Sequence, residues 1–364
     1  VIKKLKNKDI LIIPITMVLL SICGSTFGMS EEALPFYAIF IPIMLSIGYD
    51  SMTAFIICFL GPNLGYCAST IDPFNVLIAQ GVIGIEGNPQ LWFRAVLWVI
   101  FTAVGIAWAM RYARRVKLDP KSSITYEDDK QKRIEFAVAD ASVEEEFTLR
   151  HKLVLIDFAV GMGVIVWGLV TQGWDMNEIS MVFLAMGLLA GILGGLDEKT
   201  IAEEFVRGIA DFAYAACIIG IARGILVVAE GGMIIDSILN WLAGLLAGAP
   251  SFIYTTFMYI VLGLLSLLVP SSSGLAALTM PVMGPLTELM GLNPEAAVTA
   301  LQFANQTINT ISPVAGMTVA GLAVAKISFG QWWKTIWKFY PYGSNSWLSI
   351  FMLFMPRIVW GYWE

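Results

Sequence analysis

The sequence predicts an all-α polytopic membrane protein built from two inverted repeats, each a re-entrant helical hairpin followed by a broken transmembrane helix. Three observations predict it. Hydrophobic residues make up 57% of the chain and charged residues 14%, with a mean hydropathy of +0.75, far from a soluble domain. The stretch GMSEEALPFYAIFIPIMLSIGYDSMTAF, starting at Gly28, returns as SSSGLAALTMPVMGPLTELMGLNPEAAVTAL, starting at Ser271. At one offset of 243, Ser30 matches Ser273, Ala33 matches Ala276, Pro42 matches Pro285, Gly48 matches Gly291, Ala54 matches Ala297 and Ser69 matches Ser312. Both copies are apolar segments interrupted at the middle by Gly, Ser and Pro, and paired interrupted segments in two halves of a membrane protein point to a carrier's binding site.

Residues 1–112 form the first repeat. Its hairpin, 10–48, runs ILIIPITMVLLSIC, then the break GSTFGMSEE, then ALPFYAIFIPIMLSIG. A crossing helix needs about 20 apolar residues, so each arm is expected to enter the bilayer and turn back. Non-helical backbone at that depth is tolerated only where protein or a water-filled cavity covers it. A broken helix, 51–86, follows with its interruption in FLGPNLGYCASTIDPFN, and a helix at 92–112 closes the repeat. Residues 113–151 read as a charged cytoplasmic linker, a solvated connection carrying Glu144, Glu145 and Glu146.

The second repeat spans 152–364. Scaffold helices at 153–229 (crossings at 153–171, 179–195 and 207–229) precede a hairpin at 251–290 with the tip LVPSSSGLAALTMP. A broken helix at 295–327, interrupted in FANQTINTISPVAGMT, and a terminal helix at 345–361 complete it. Trp332, Trp333 and Trp337, interleaved with Lys334 and Lys338, suit a short helix in the cytoplasmic interface. The chain starts at Val1, without Met, and the first copy lacks a counterpart to the helices preceding the second, so it reads as N-terminally truncated.

Placed on these elements, 19 of the 22 Lys and Arg residues fall on one side, which the positive-inside rule makes cytoplasmic. Arg94 and Arg357 fall near the opposite face and Arg223, in GIARGIL, near mid-membrane. The first hairpin then enters from the cytoplasm and the second from outside. The expected location is the inner (cytoplasmic) membrane, crossed many times.

Other chemistries are poorly served. Cys23, Cys58, Cys67 and Cys217 sit singly in apolar stretches without C-x-x-C spacing and read as small buried residues. His151 is the single histidine and lies in the charged stretch, which removes His-based catalysis and His metal clusters. GGLDEKT lacks the glycine before lysine that a phosphate-cradling loop requires, so no nucleotide or other cofactor is expected. Gly187, Gly191 and Gly195 form a small-residue ladder suited to a close helix contact. Much of the acid lies in the linker, so the net charge of −6 says little about partners, and no nucleic-acid partner is expected. An enzyme would need a nucleophile with a positioned base or a metal cluster; an ion channel is the stronger rival to a carrier.

The runs FGMSEEALPF, the Gly-Tyr-Asp turn at 48–50, IDPFNVLIAQG at 71–81, and SSSGLAALTMPVMGPL with LQFANQ resemble the YfcC-type carriers. These belong to the anaerobic dicarboxylate carrier (DcuC-like) group of the ion transporter superfamily, and the resemblance covers nearly the whole chain. It implies a homodimer in the lipid bilayer whose scaffold helices hold a transport domain of two hairpins and two broken helices, moving as an elevator-type transporter. It implies a small charged organic substrate: a basic amino acid, exchanged as arginine for ornithine, in one branch, and a four-carbon dicarboxylate in another.

Carried over by position, the resemblance nominates the tips Ser30, Glu31, Glu32 and Ser271, Ser272, Ser273, with the breaks at Asn63, Ser69, Thr70, Asp72 and at Asn305, Thr307, Asn309, Thr310, Ser312. Helix ends inside a membrane leave N–H and C=O groups unsatisfied, which suits carboxylates and Na+ respectively. The serines read as helix N-caps, alone or with ligand contact. Glu31 and Glu32 read as a proton carrier or partner of a cationic substrate group, or as complements of a helix dipole. Asp72 reads as a second such acid or as a turn residue before Pro73, and Arg223 as a partner for a substrate carboxylate or a structural one. Three intramembrane acids against one arginine tilt the reading toward an amino-acid-like substrate with a cationic group. Coupling to Na+ or H+ is expected.

Overall fold

The computed structural model describes residues 9–141, 148–172, 174, 176–234, 237, 241, 244 and 250–338, and these are helical with short connections. Glu144 to Glu146 and the terminal helix expected at 345–361 lie outside the described residues. The chain divides into two compact units, residues 1–129 with 215–364, and residues 130–214.

The first unit opens with α1 (Ile12–Phe27), which Gly28 ends in the left-handed conformation (φ 72°), as a helix C-terminus favours. One 3₁₀ turn, Glu31–Ala33, leads into α2 (Leu34–Ser46). Together with the turn at Asp9–Leu11, α1 is 19 residues long, enough to cross a bilayer and longer than the short arm expected from the sequence. The extra length lies at its C-terminal end, where the helix runs on through residues 24–27, expected as part of the break, and stops only at Gly28.

The helix α3 (Ser51–Cys67) is buried on every face, and its chain breaks at residues 68–72. It resumes as a π-type turn, Pro73–Leu77, continuing into α4 (Ile78–Val82). A helix apolar all round belongs in a core, and α3 is that core. Against it α1 approaches to backbone contact: a Cβ at Gly65 would lie 2.0 Å from the Ser21 carbonyl oxygen, and one at Gly24 2.1 Å from that of Pro62. Only glycine fits there.

Next come α5 (Leu91–Leu118) and α6 (Tyr126–Ala141). The stretch expected as a solvated linker is helical over α6, and Ser123, Thr125 and Asp129 are buried. The Asp129 carboxylate accepts from Ser51 N (2.9 Å), Ser51 Oγ (2.5 Å) and Thr125 Oγ1 (2.8 Å). Asp50 caps α3 by accepting from Thr53 N (2.8 Å) and also accepts from Ser123 Oγ (2.6 Å). The unsatisfied N–H groups at the start of α3 recruit Asp129 from a segment that hydropathy alone assigns to solvent.

In the second unit, Thr148 caps α7 (Leu149–Trp167), which packs on α8 (Met176–Gly194). The glycine ladder is only partly a contact. Gly191 faces Ile201, at the start of α9 (Glu198–Gly231), with a Cβ position 2.9 Å from that side chain, while Gly187 faces open space and Gly195 ends α8 in the left-handed region. Of the four cysteines expected to be buried, Cys58 and Cys67 are, whereas Cys23 is partly buried and Cys217, on the part of α9 that belongs to the first unit, is exposed.

The first unit resumes with α10 (Ser251–Leu268), the tip at 269–271, α11 (Ser272–Leu289) and α12 (Glu295–Ile311). After a break at 312–315 come α13 (Gly316–Ala325) and α14 (329–338). The repeated pattern is carried into the elements. Ser46 and Leu289 end matching helices 243 positions apart, the resumed helices Pro73–Val82 and Gly316–Ala325 are also offset by 243, and Gly48 and Gly291 share positive φ (95° and 71°). Trp332 is not interfacial: it is fully buried against Phe55 (ring centroids 4.9 Å apart) and Phe59, and its indole N–H donates to the Thr310 carbonyl (2.9 Å). Trp333 and Trp337 are exposed and stack on each other. A carbonyl left over at the end of α12 gives Trp332 a better partner than the interface does.

Candidate functional site

The long helix α5 holds the two broken helices by opposite ends. Near its C-terminus the Tyr112 hydroxyl donates to Asp50 at the start of α3 (2.8 Å). Near its N-terminus the Arg94 guanidinium donates to Glu295 at the start of α12 (2.7 Å). Eighteen helical residues at 1.5 Å each separate these anchors by about 27 Å. The two broken helices meet just before their breaks, where Asn63 Nδ2 donates to Thr310 Oγ1 (2.9 Å).

Each tip is docked on a break. At the first, Thr70 N donates to the Ser25 carbonyl (2.9 Å) and the Ser25 and Thr70 hydroxyls pair at 3.2 Å. Gly28 lies against Asp72, whose carboxylate accepts from Phe74 N (2.9 Å) and Ser69 Oγ (3.4 Å) and is wholly buried. Ser30 does not cap a helix; its hydroxyl donates to Met317 Sδ on α13 (3.2 Å), so the first tip touches the far side of the second break. Glu31 and Glu32 part company: Glu31 is exposed, whereas Glu32 is buried and accepts from Ser30 N (2.8 Å). The 3₁₀ turn sends consecutive side chains in different directions, so the adjacent acids expected to share a dry site do not.

At the second tip, Ser271 caps α11 by accepting from Gly274 N (3.2 Å), Ser272 Oγ donates to Asn305 Oδ1 (2.7 Å), and the Ser273 hydroxyl pairs with that of Ser271 at 3.3 Å. Asn309 Nδ2 donates to the Pro270 carbonyl (2.9 Å) and to Asn305 Oδ1 (3.1 Å). Thr307 hydrogen-bonds with Tyr259, and Ser312 accepts from Val314 N (3.3 Å) at the second break. The side chain of Arg223 lies outside the described residues.

Several residues that sequence reasoning passed over bind this arrangement together. Tyr66, near the end of α3, lies close to Ser272 of the second tip and within electrostatic range of Asp72, Glu31 and Glu32, so it neighbours both tips and the first break. Gln302 on α12 donates to Ser69 at both its hydroxyl (2.6 Å) and its carbonyl (3.1 Å). Asn75 is wholly buried, and neither amide atom finds a hydrogen-bond partner among the described residues. Arg94, expected near a membrane face, is wholly buried with Glu295. Polar side chains inside apolar runs (Tyr66 in GYCAST, Gln302 in LQFANQ) were the available signal; nothing local announces the Arg94–Glu295 pair.

Chemically, the site offers two buried carboxylates, Glu32 and Asp72, with no Lys or Arg in ion-pairing reach among the described residues, surrounded by hydroxyls and amides. Among the described residues no cluster of three or more His, Cys, Asp or Glu side chains could hold a metal.

A family model described as C4-dicarboxylate anaerobic carrier, DcuC, matches residues 1–343. The chain is 34% identical over 345 residues to the "Putative basic amino acid antiporter YfcC" of Escherichia coli (strain K12), covering 92% of this chain and 67% of that protein. It is also 34% identical over 336 residues to an uncharacterized protein of Haemophilus influenzae, covering 92% and 66%. The chain thus spans about two thirds of the length of the curated relatives it matches. Among solved structures, the Alcanivorax borkumensis YdaH transporter aligns at 14% identity over 96% of this chain and 85% of that one, with a TM-score of 0.47. With that family model covering residues 1–343 and relatives at one-third identity, the chain belongs to the C4-dicarboxylate anaerobic carrier (DcuC) family.

Proposed function

We propose that the protein is a secondary active transporter of small charged organic metabolites in the cytoplasmic membrane, and that its substrate is a basic amino acid. One observation carries the substrate reading. Glu32 and Asp72 are buried without a described cationic partner, whereas the buried Arg94 is already neutralised by Glu295. Unpaired acids in a dry site call for a cation, and an arginine- or ornithine-like side chain, a proton or Na+ supplies one. The name of the Escherichia coli relative points the same way.

A four-carbon dicarboxylate is the second reading. It is favoured by the family's description and by the serines at the N-terminus of α11, where backbone N–H groups suit a carboxylate.

The inverted relation of the repeats is supported by α5, which anchors the start of α3 at one end and the start of α12 at the other. An elevator motion is supported by the grouping of both hairpins and both broken helices in one compact unit. A homodimer, with scaffold helices from 153–229, completes the reading.

The test is exchange in proteoliposomes loaded with ornithine and challenged with labelled arginine, with succinate and fumarate as competitors. Saturable arginine–ornithine exchange supports the reading; uptake of succinate alone replaces it by the dicarboxylate one; flux without saturation or counter-substrate dependence indicates a channel.

A further inference from the structure

The buried charge pair sits in a closed ring. Arg94 Nη1 donates to Glu295 Oε2 (2.7 Å) and Arg94 Nη2 to Asn88 Oδ1, while Gln80 Nε2 donates to Glu295 Oε1 (2.5 Å) and to Asn88 Oδ1 (3.4 Å). Its members come from α5, α12, α4 and the loop between α4 and α5. Arg94 and Glu295 are wholly inaccessible to solvent. Asn88 spends both its acceptor and its donor. Its Oδ1 belongs to the ring, and its Nδ2 donates to the Thr70 carbonyl (2.6 Å), in the middle of the first break.

A helix broken inside a membrane exposes peptide carbonyls that must find partners. The neighbouring Ser69 carbonyl is taken by Gln302, and that of Thr70 by Asn88. Both satisfying groups are neutral amides held from elsewhere. Ring and break are thus linked by a single side chain whose orientation the Arg94–Glu295 pair fixes, since a charge-assisted donor on Oδ1 leaves only Nδ2 to face Thr70.

We propose that Asn88 is a positioning residue of the transport site, set by the Arg94–Glu295–Gln80 ring, which holds the first break in its binding geometry through the Thr70 carbonyl. The ring lies outside the nominated binding residues and acts through the backbone of residues 69–72, which carries Ser69 and Asp72. The contact between break and tip depends on it as well, because Thr70 pairs with Ser25 of the first tip only while its backbone keeps this course. The proposal rests on the transport reading above, so its test needs one arm that does not.

Asn88→Asp keeps an acceptor for Arg94 and removes the donor to Thr70. Two measurements are made on the reconstituted protein: KM and maximal rate for labelled arginine, and backbone hydrogen exchange of peptides covering residues 66–78. The expected result is a KM raised at least about tenfold with a maximal rate within about twofold of wild type, and faster exchange over 68–72. Should Asn88→Asp not purify in folded form, Asn88→Ala is read in the same way. Wild-type exchange over 68–72 in the folded variant would overturn the proposal whatever the substrate is. An unchanged KM with lowered thermal stability would reduce the ring to a structural brace. Absence of arginine transport in the wild-type protein counts against the basic amino-acid reading alone, and the exchange measurement still decides the positioning role.

Discussion

Gly28 and Asp72 are packed so closely that a Cβ on the glycine would lie 2.4 Å from Asp72 Oδ1, and the glycine's φ is +72°. The end of the first hairpin arm and the acid of the first break are therefore one construction. Gly28→Ala is expected to cost about 1–2 kcal/mol in backbone strain and to displace the Asp72 carboxylate. Transport should fall much further than stability does. Uptake measured beside thermal unfolding in detergent checks this, and a variant with normal uptake would separate the two residues.

Asp72→Asn retains shape and loses charge. If Asp72 only caps the turn at Phe74, the amide oxygen still accepts from that N–H, and uptake stays near wild type. The expected outcome is instead loss of arginine uptake with a melting temperature within a few degrees of wild type.

The two acids of the first tip should behave differently because the structure buries only Glu32. Glu32→Gln is expected to abolish uptake or flatten its pH profile, whereas Glu31→Gln should leave both close to wild type. A helix-dipole role would be worth only about 0.3–1 kcal/mol and would show as a mild stability loss in both variants. Equal pH profiles for wild type and Glu32→Gln would remove the acid from the mechanism.

The inverted arrangement is open to direct labelling. Ser46 and Leu289 are exposed, occupy matching helix ends 243 positions apart, and follow the first and second hairpins. Ser46→Cys should react with a membrane-impermeant maleimide from the cytoplasmic side and Leu289→Cys from the other. Labelling of both from one side would make the repeats parallel.

Removing one member of the buried ion pair should be costly. Glu295→Ala leaves Arg94 charged and unpaired and is expected to lower stability by about 3–5 kcal/mol. The double change Arg94→Met with Glu295→Leu should recover most of that loss, since neither charge remains to be compensated. Denaturant unfolding in detergent measures both.

What the sequence determined by itself is the part written in neighbouring residues. Hydropathy marks the apolar runs, and the Gly, Ser, Pro and Asp residues that interrupt them mark the tips near Ser30 and Ser272 and the breaks near Ser69 and Ser312. The constant offset of 243 tied the two copies together before any helix was placed, because each half must solve the same problem of breaking a helix in an apolar medium. The tertiary structure decided what contacts across hundreds of positions decide. It paired Arg94 with Glu295, turned Glu32 inward and Glu31 outward, buried Asp129 on Ser51, and drew Trp332 from an expected interface to the Thr310 carbonyl. Local composition gives a charged or aromatic residue the same appearance on either side of such a choice. The choice falls to whichever unsatisfied helix end lies within reach once the two broken helices have packed together, and that reach exists only in three dimensions.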